Sequence, residues 1–129
     1  TDRVLVSIPL FAIFGFSVVV GTLATGATVV LQERFDPAQA IDLIASEDVS
    51  VLHGVPTHYH LLMREPDFDP TRFTRLRTGI VAGGAVPDEL VRRVRRWCNV
   101  QLAYGLTETS PGAVITSDAP GRIKAGAML

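Results

Sequence analysis

The sequence predicts an α/β fold, a mostly parallel sheet flanked by helices. Three observations lead there. Short apolar, β-branched runs alternate with stretches of helical period. The spacing between runs leaves room for a helix in each connection, as parallel strands require. Two runs end in glycine-bearing loops, GGAVP and GLTETSP, and such sheets hold ligands at the carboxyl ends of their strands.

Residues 3–8 (RVLVSI) read as a short strand. Residues 14–24 read as a buried helix ended by Gly26. Residues 27–32 (ATVVLQ) are rich in β-branched side chains and read as a buried strand. Asp36 is then the N-cap of a helix with Pro37 at its first position. Ala40, Ile41, Ile44 and Ala45 form its apolar stripe. Residues 49–54 (VSVLHG) are a second buried strand, and Pro56 opens a helix through Tyr59, Leu62 and Met63. The segment EPDFDP is a loop. Residues 77–82 (RTGIVA) form a strand, and Gly83, Gly84 and Ala85 a tight turn. Pro87 starts the helix PDELVRRVRRWC, with Leu90, Val91, Val94, Trp97 and Cys98 facing the core and the four arginines mostly off it. Residues 100–104 (VQLAY) form the next strand, and residues 112–116 (GAVIT) offer one more.

The chain has 129 residues, enough for one domain with a core, and no internal repeat. With 47% hydrophobic and 19% charged residues it is not disordered. A net charge of −1 argues against non-specific nucleic-acid binding. Cys98 is the only cysteine, so there is no internal disulfide, which fits a reducing compartment; a cytoplasmic location is expected. The start lacks a basic n-region and a small-residue cleavage site, so no secretory signal is expected. From Val4 to Leu31 no residue is charged, which is long enough for a membrane span. Pro9, Gly15, Gly21 and Gly26 punctuate that run, threonines dilute it, and neither a Lys/Arg cluster nor an aromatic belt flanks it. No span is expected.

GGAVP fits either a plain strand-to-helix turn or a close backbone approach to a flat or anionic ligand at a helix start. No Lys-Ser or Lys-Thr follows, so it is not a Walker loop. YGLTETSP, residues 104–111, fits a polar turn or a ligand site. In the second case Tyr104 would stack on a base, Thr107 would donate to a phosphate, and Glu108 would hold Mg²⁺. His53, His58 and His60 cluster in HGVPTHYH, but no cysteine or carboxylate completes a metal spacing. Pocket lining or helix surface is the preferred reading. Cys98 reads as a packed thiol, the arginines of LVRRVRRWC as a solvated face, and no Ser-His-Asp elbow is present.

Four stretches together carry a family resemblance: PLFAIFG, GVPTHYHLL, GGAVP and YGLTETSP. In order and spacing the chain resembles the middle of the large N-terminal domain of the adenylate-forming enzymes, which include acyl-CoA synthetases, luciferases and the adenylation domains of peptide synthetases. The resemblance covers nearly the whole chain, and YGLTETSP is its most specific motif. It implies an α/β subdomain of that N-terminal domain, with the uncharged run as helix and strand of the fold. It also implies that a carboxylic acid is joined to AMP using ATP and Mg²⁺, then passed to the thiol of coenzyme A. Gly83, Gly84, Ala85, Ala103, Tyr104, Gly105, Leu106 and Thr107 would hold the nucleotide, with Tyr104 stacked on adenine. Thr107 and Glu108 would serve the chemistry at the α-phosphate, Glu108 as the metal ligand. Ala12, Phe14, Gly15, Val55 and Thr57 would line the acyl pocket.

The family often carries His in PLFH, where this chain has Ala12. That departure bears on substrate size and on the thioester step. Amino-acid-activating members usually carry an Asp near PLFAIFG, and none stands here. The implied substrate is therefore a fatty or aromatic acid. The family's upstream phosphate loop, its later ribose-binding Asp and its C-terminal lid with a catalytic Lys are not in these residues. The expectation is a fragment that needs the rest of its parent chain, lid included, and does not turn over substrate alone. An acyl-AMP ligase, a luciferase-like enzyme and a non-catalytic module with the same fold are the competing readings.

Overall fold

The computed structural model describes residues 1–109 and 114–116. Ser110 and Pro111 of the YGLTETSP motif, Gly112 and Ala113 of the last expected strand, and the closing AGAML lie outside them. Six strands form one sheet: β1 (Arg3–Val6), β2 (Thr28–Leu31), β3 (Val51–Leu52), β4 (Thr78–Val81), β5 (Asn99–Tyr104) and β6 (Val114–Ile115). Their order is β2-β1-β3-β4-β5-β6. The first five are mutually parallel, and β6 returns antiparallel to β5, with Tyr104 opposite Val114. The helices are α1 (Ile13–Ala24), α2 (Pro37–Ser46), α3 (Pro56–Arg64) and α4 (Asp88–Val94). The expected α/β fold with a mostly parallel, helix-flanked sheet is the fold observed.

Local chemistry explains the boundaries. The Asp36 carboxylate accepts from the Gln39 amide at 2.8 Å, and Pro37 stands at the first turn of α2. Gly26 follows α1 with φ +71°, the left-handed value that favours glycine after a helix end. Arg95 donates from Nε and Nη2 to the Val100 carbonyl at 3.0 and 2.8 Å, tying the end of α4 to the start of β5.

Strand alternation sends side chains to two different environments. Leu5, Val30, Leu52, Val81, Val100 and Leu102 face α2, α3 and α4 in the main core. Trp97 joins that core beside Phe68 and Phe73, with ring centroids 5.3 and 5.9 Å away. Cys98 is buried there, and burial pushes its thiol up to about 12. On the opposite face Val4, Val6 and Val51 pack against Val18, Val19 and Val29, under α1.

Two sequence expectations change. α1 is not a buried helix: only Gly15 and Thr22 are buried, while Phe16 and Leu23 are 56% and 62% exposed. It rests on the sheet by one side, and no described residue covers its outer side. β2 is not a buried strand either. The order places it at the sheet edge, so Thr28 and Leu31 are exposed and Val30 alone is buried.

Candidate nucleotide and acyl site

Because β4 and β5 are adjacent and parallel, the loops that follow them emerge side by side at one end of the sheet. After β4 the chain turns through Gly83, whose φ is +83°. A Cβ there would also stand 3.1 Å from Cγ1 of Val55. Gly54 seats this end: its amide donates to the Ile80 carbonyl at 3.0 Å, and its carbonyl accepts from the Ala82 amide at 3.2 Å. After β5, Gly105 and Leu106 lead into a single 3₁₀ turn, Thr107–Thr109. The turn is closed by the Thr109 amide donating to the Leu106 carbonyl at 3.1 Å, while Thr109 Oγ1 accepts from the Leu106 amide at 3.1 Å. Tyr104, Thr107 and Glu108 are exposed here.

The loops open onto a groove of about 720 Å³, within the range of small-molecule sites. It exists because three helices cover one face of the sheet while α1 covers only part of the other. Val51, His53, Ile80, Ala82 and Ala103 make its floor, and Phe14, Ser17 and Val18 of α1, with Phe11 and Ala12 just before that helix, its wall. Its two lining carboxylates among the described residues belong to Asp2 and Glu108. Asp2 precedes β1 and Glu108 follows β5, so they mark opposite ends. Arg77 and Ser50 bond the Asp2 carboxylate and hold it below the usual carboxylate range.

Of the residues named from sequence, the groove brings together Ala12, Phe14, Gly83, Ala103, Tyr104, Gly105, Leu106, Thr107 and Glu108. Gly15, Val55, Thr57, Gly84 and Ala85 are not on its wall. Gly15 packs against the backbone turn below α1, where a Cβ would come 2.4 Å from the Pro9 carbonyl oxygen. Thr57 is exposed in the first turn of α3, and Gly84 and Ala85 are exposed beyond Gly83. Glu108 presents an exposed carboxylate, a hard-oxygen donor, between the hydroxyl-bearing Thr107 and Thr109.

The three histidines separate. His53 lines the groove, His58 stacks on Phe35 with centroids 3.9 Å apart, and His60 is exposed on α3. Among the described residues no three His, Cys, Asp or Glu side chains gather for a metal. Of the two readings the sequence offers, pocket lining and helix surface, His53 takes the first and His60 the second. The signal for His53 was position, since an imidazole just after a buried strand stands where a sheet's ligands sit.

The family profile for "AMP-binding enzyme" matches residues 1–128. The chain belongs to the AMP-binding enzyme family. It is 34% identical over 116 residues to a feruloyl-CoA synthase from an Amycolatopsis species, covering 88% of this chain and 24% of that protein. It is 33% identical over 127 residues to an indoleacetate–CoA ligase from Aromatoleum aromaticum, covering 97% of this chain and 25% of that protein. Among solved structures, O-succinylbenzoate coenzyme A synthetase from Bacillus subtilis, in complex with ATP and magnesium ion, superposes with a TM-score of 0.78 at 31% identity. That match covers 91% of this chain and 24% of the other. The chain thus spans about a quarter of the length of these relatives. Among its described residues, no helix is long and apolar enough to cross a membrane.

Proposed function

We propose that the parent chain is an ATP-dependent carboxylic acid–CoA ligase, and that these residues are part of its N-terminal nucleotide- and acyl-binding domain. One observation carries the reading. Tyr104, Thr107 and Glu108 stand at the carboxyl end of parallel strands, at the mouth of an apolar groove. That puts aromatic, hydroxyl and carboxylate groups suited to adenine, phosphate and Mg²⁺ beside walls suited to an acyl chain. The names of the relatives support coenzyme A as acceptor over the acyl-AMP ligase and luciferase-like alternatives.

The chemistry follows from the residues. A carboxylate is a weak nucleophile, and the α-phosphate it attacks is shielded by negative charge. Thr107 would donate to the α-phosphate oxygen, and Glu108 would hold Mg²⁺. The ion, when bound, supplies neutralising charge at the phosphates as pyrophosphate leaves. Tyr104 would fix the adenine, and the Phe14 wall would exclude water from the mixed anhydride. The coenzyme A thiol then attacks the acyl carbonyl, and AMP departs. Without the lid and the remaining nucleotide contacts of a longer parent, these residues alone would not turn over. A cytoplasmic enzyme is the matching location.

The test uses the full-length parent with ATP, Mg²⁺ and a panel of carboxylic acids, with and without coenzyme A, following AMP and pyrophosphate. Acid-dependent pyrophosphate release, with sustained AMP formation only when coenzyme A is present, is the expected result. Adenylate without thioester would point to the ligase or luciferase-like readings. A folded parent with no nucleotide chemistry on any acid would leave the non-catalytic module.

A further inference from the structure

The backbone amide of Ile80 donates to Nδ1 of His53 at 3.1 Å. A nitrogen that accepts a hydrogen bond carries no proton, so the neutral ring carries its proton on Nε2. Phe14 meets this ring in a T-shaped contact, with centroids 6.3 Å apart and planes at 66°. The orientation of the imidazole is therefore held from two sides, by the sheet and by α1.

The other polar groups along the middle of the groove are already engaged. Ser17 Oγ donates to the Ile13 carbonyl at 2.6 Å, and Thr22 Oγ1 to the Val18 carbonyl at 2.6 Å. Thr25 Oγ1 donates to the Thr22 carbonyl at 2.9 Å. Asp2 is occupied by Arg77 and Ser50. Ala12 adds only a methyl group. No described residue accepts from Nε2 of His53, although the residue lines the groove.

Resting on the ligase reading above, we propose that His53 is a specificity-determining residue, whose Nε2–H donates to an oxygen carried by the acyl group between its carboxylate and its far end. The substrate class is thus an oxygenated carboxylic acid, with a hydroxyl, ether, carbonyl or second carboxylate, rather than a plain hydrocarbon acid. His53 is half-buried on the groove wall, so an acyl group that displaces water from Nε2–H and offers no acceptor leaves the donor unpaired, which penalises the analogue that lacks the oxygen.

The full-length parent is assayed for acid-dependent pyrophosphate release with matched pairs. The pairs are hydroxylated and unsubstituted linear acids of several lengths, and 3-(4-hydroxyphenyl)propanoate against 3-phenylpropanoate. The wild type should favour the oxygenated member of at least one pair by about tenfold or more in kcat/KM. His53→Leu should bring that ratio close to one by lowering kcat/KM for the oxygenated acid alone. His53→Gln, which keeps an N–H donor near the Nε2 position, should retain most of the preference. If His53→Leu does not fold, the wild-type ratio and the His53→Gln variant still decide. Turnover of plain and oxygenated acids at equal kcat/KM, or a preference unchanged in His53→Leu, overturns the role of His53 and leaves the ligase reading standing. Absence of pyrophosphate release with every acid overturns both.

Discussion

The Tyr59 hydroxyl donates a 2.7 Å hydrogen bond to the Leu52 carbonyl, from the middle of α3 to the end of β3. Both groups crowd the place where Gly79 would carry a side chain: a Cβ there would lie 1.7 Å from the Leu52 oxygen and 3.2 Å from the Tyr59 oxygen. Tyr59 is fully buried. Tyr59→Phe leaves the Leu52 carbonyl short of a partner and should lower unfolding stability by about 1–3 kcal/mol. Gly79→Ala should prevent β4 from seating and abolish soluble expression. Urea unfolding of the parent chain checks the first, and expression yield the second.

Gly83 and Gly84 are neighbours with opposite demands. Gly83 has a positive φ and a close Val55, whereas a Cβ on Gly84 would meet nothing within 4 Å. Gly83→Ala should cost about 1–3 kcal/mol. Gly84→Ala should leave stability within about 0.5 kcal/mol, yet raise the KM for ATP if that backbone lies against the nucleotide. Thermal unfolding and initial-rate kinetics on both variants separate the two effects.

Glu108 is exposed on the 3₁₀ turn after β5. Glu108→Gln keeps its size and removes its charge, so the melting temperature should not move. Pyrophosphate release should fall by about 10²–10³-fold, and the Mg²⁺ concentration at half-maximal rate should rise. An unchanged Mg²⁺ titration would remove Glu108 from the metal site.

Burial lowers the His53 imidazole from its ordinary 6.5 to about 4. The unfolded chain therefore binds a proton that the folded chain refuses between those values. Its stabilisation is fully present above about pH 6.5 and is lost as pH falls through about 4. His58 is lowered by burial too, in the same direction. Asp2 and Asp69 act further down, because their depressed carboxyls cost stability only below the ordinary carboxylate value of 3.8. Urea midpoints should decline between pH 7 and 4.5, and His53→Gln should flatten part of that decline.

Much of the candidate site was legible because its signals are local. Tyr104, Thr107 and Glu108 follow a strand run in one unbroken motif, and the turn at Gly83 reads directly as glycine. For the three histidines of HGVPTHYH the sequence offers pocket lining or helix surface, and only the packing assigns the first to His53, because the motif does not tell which way each ring turns. The resemblance assigns Gly15 to the acyl pocket, whereas it stands off the groove wall and a Cβ there would meet the Pro9 carbonyl, an approach of two backbone segments that only the packing shows.

By itself the sequence determined the alternation of strands and helices, the Asp36–Pro37 start of α2, the parallel sheet and the end of that sheet that carries the two glycine-bearing loops. These follow from side-chain period, capping and connection length, which act over a few residues. Only the tertiary structure decided that β2 is an edge, that β6 runs antiparallel, that α1 stays half exposed and that Ala12, His53 and Glu108 share one groove. A side chain's burial depends on what packs over it, and the apolar run before Leu31 carries no record of which of its faces the rest of the chain will cover.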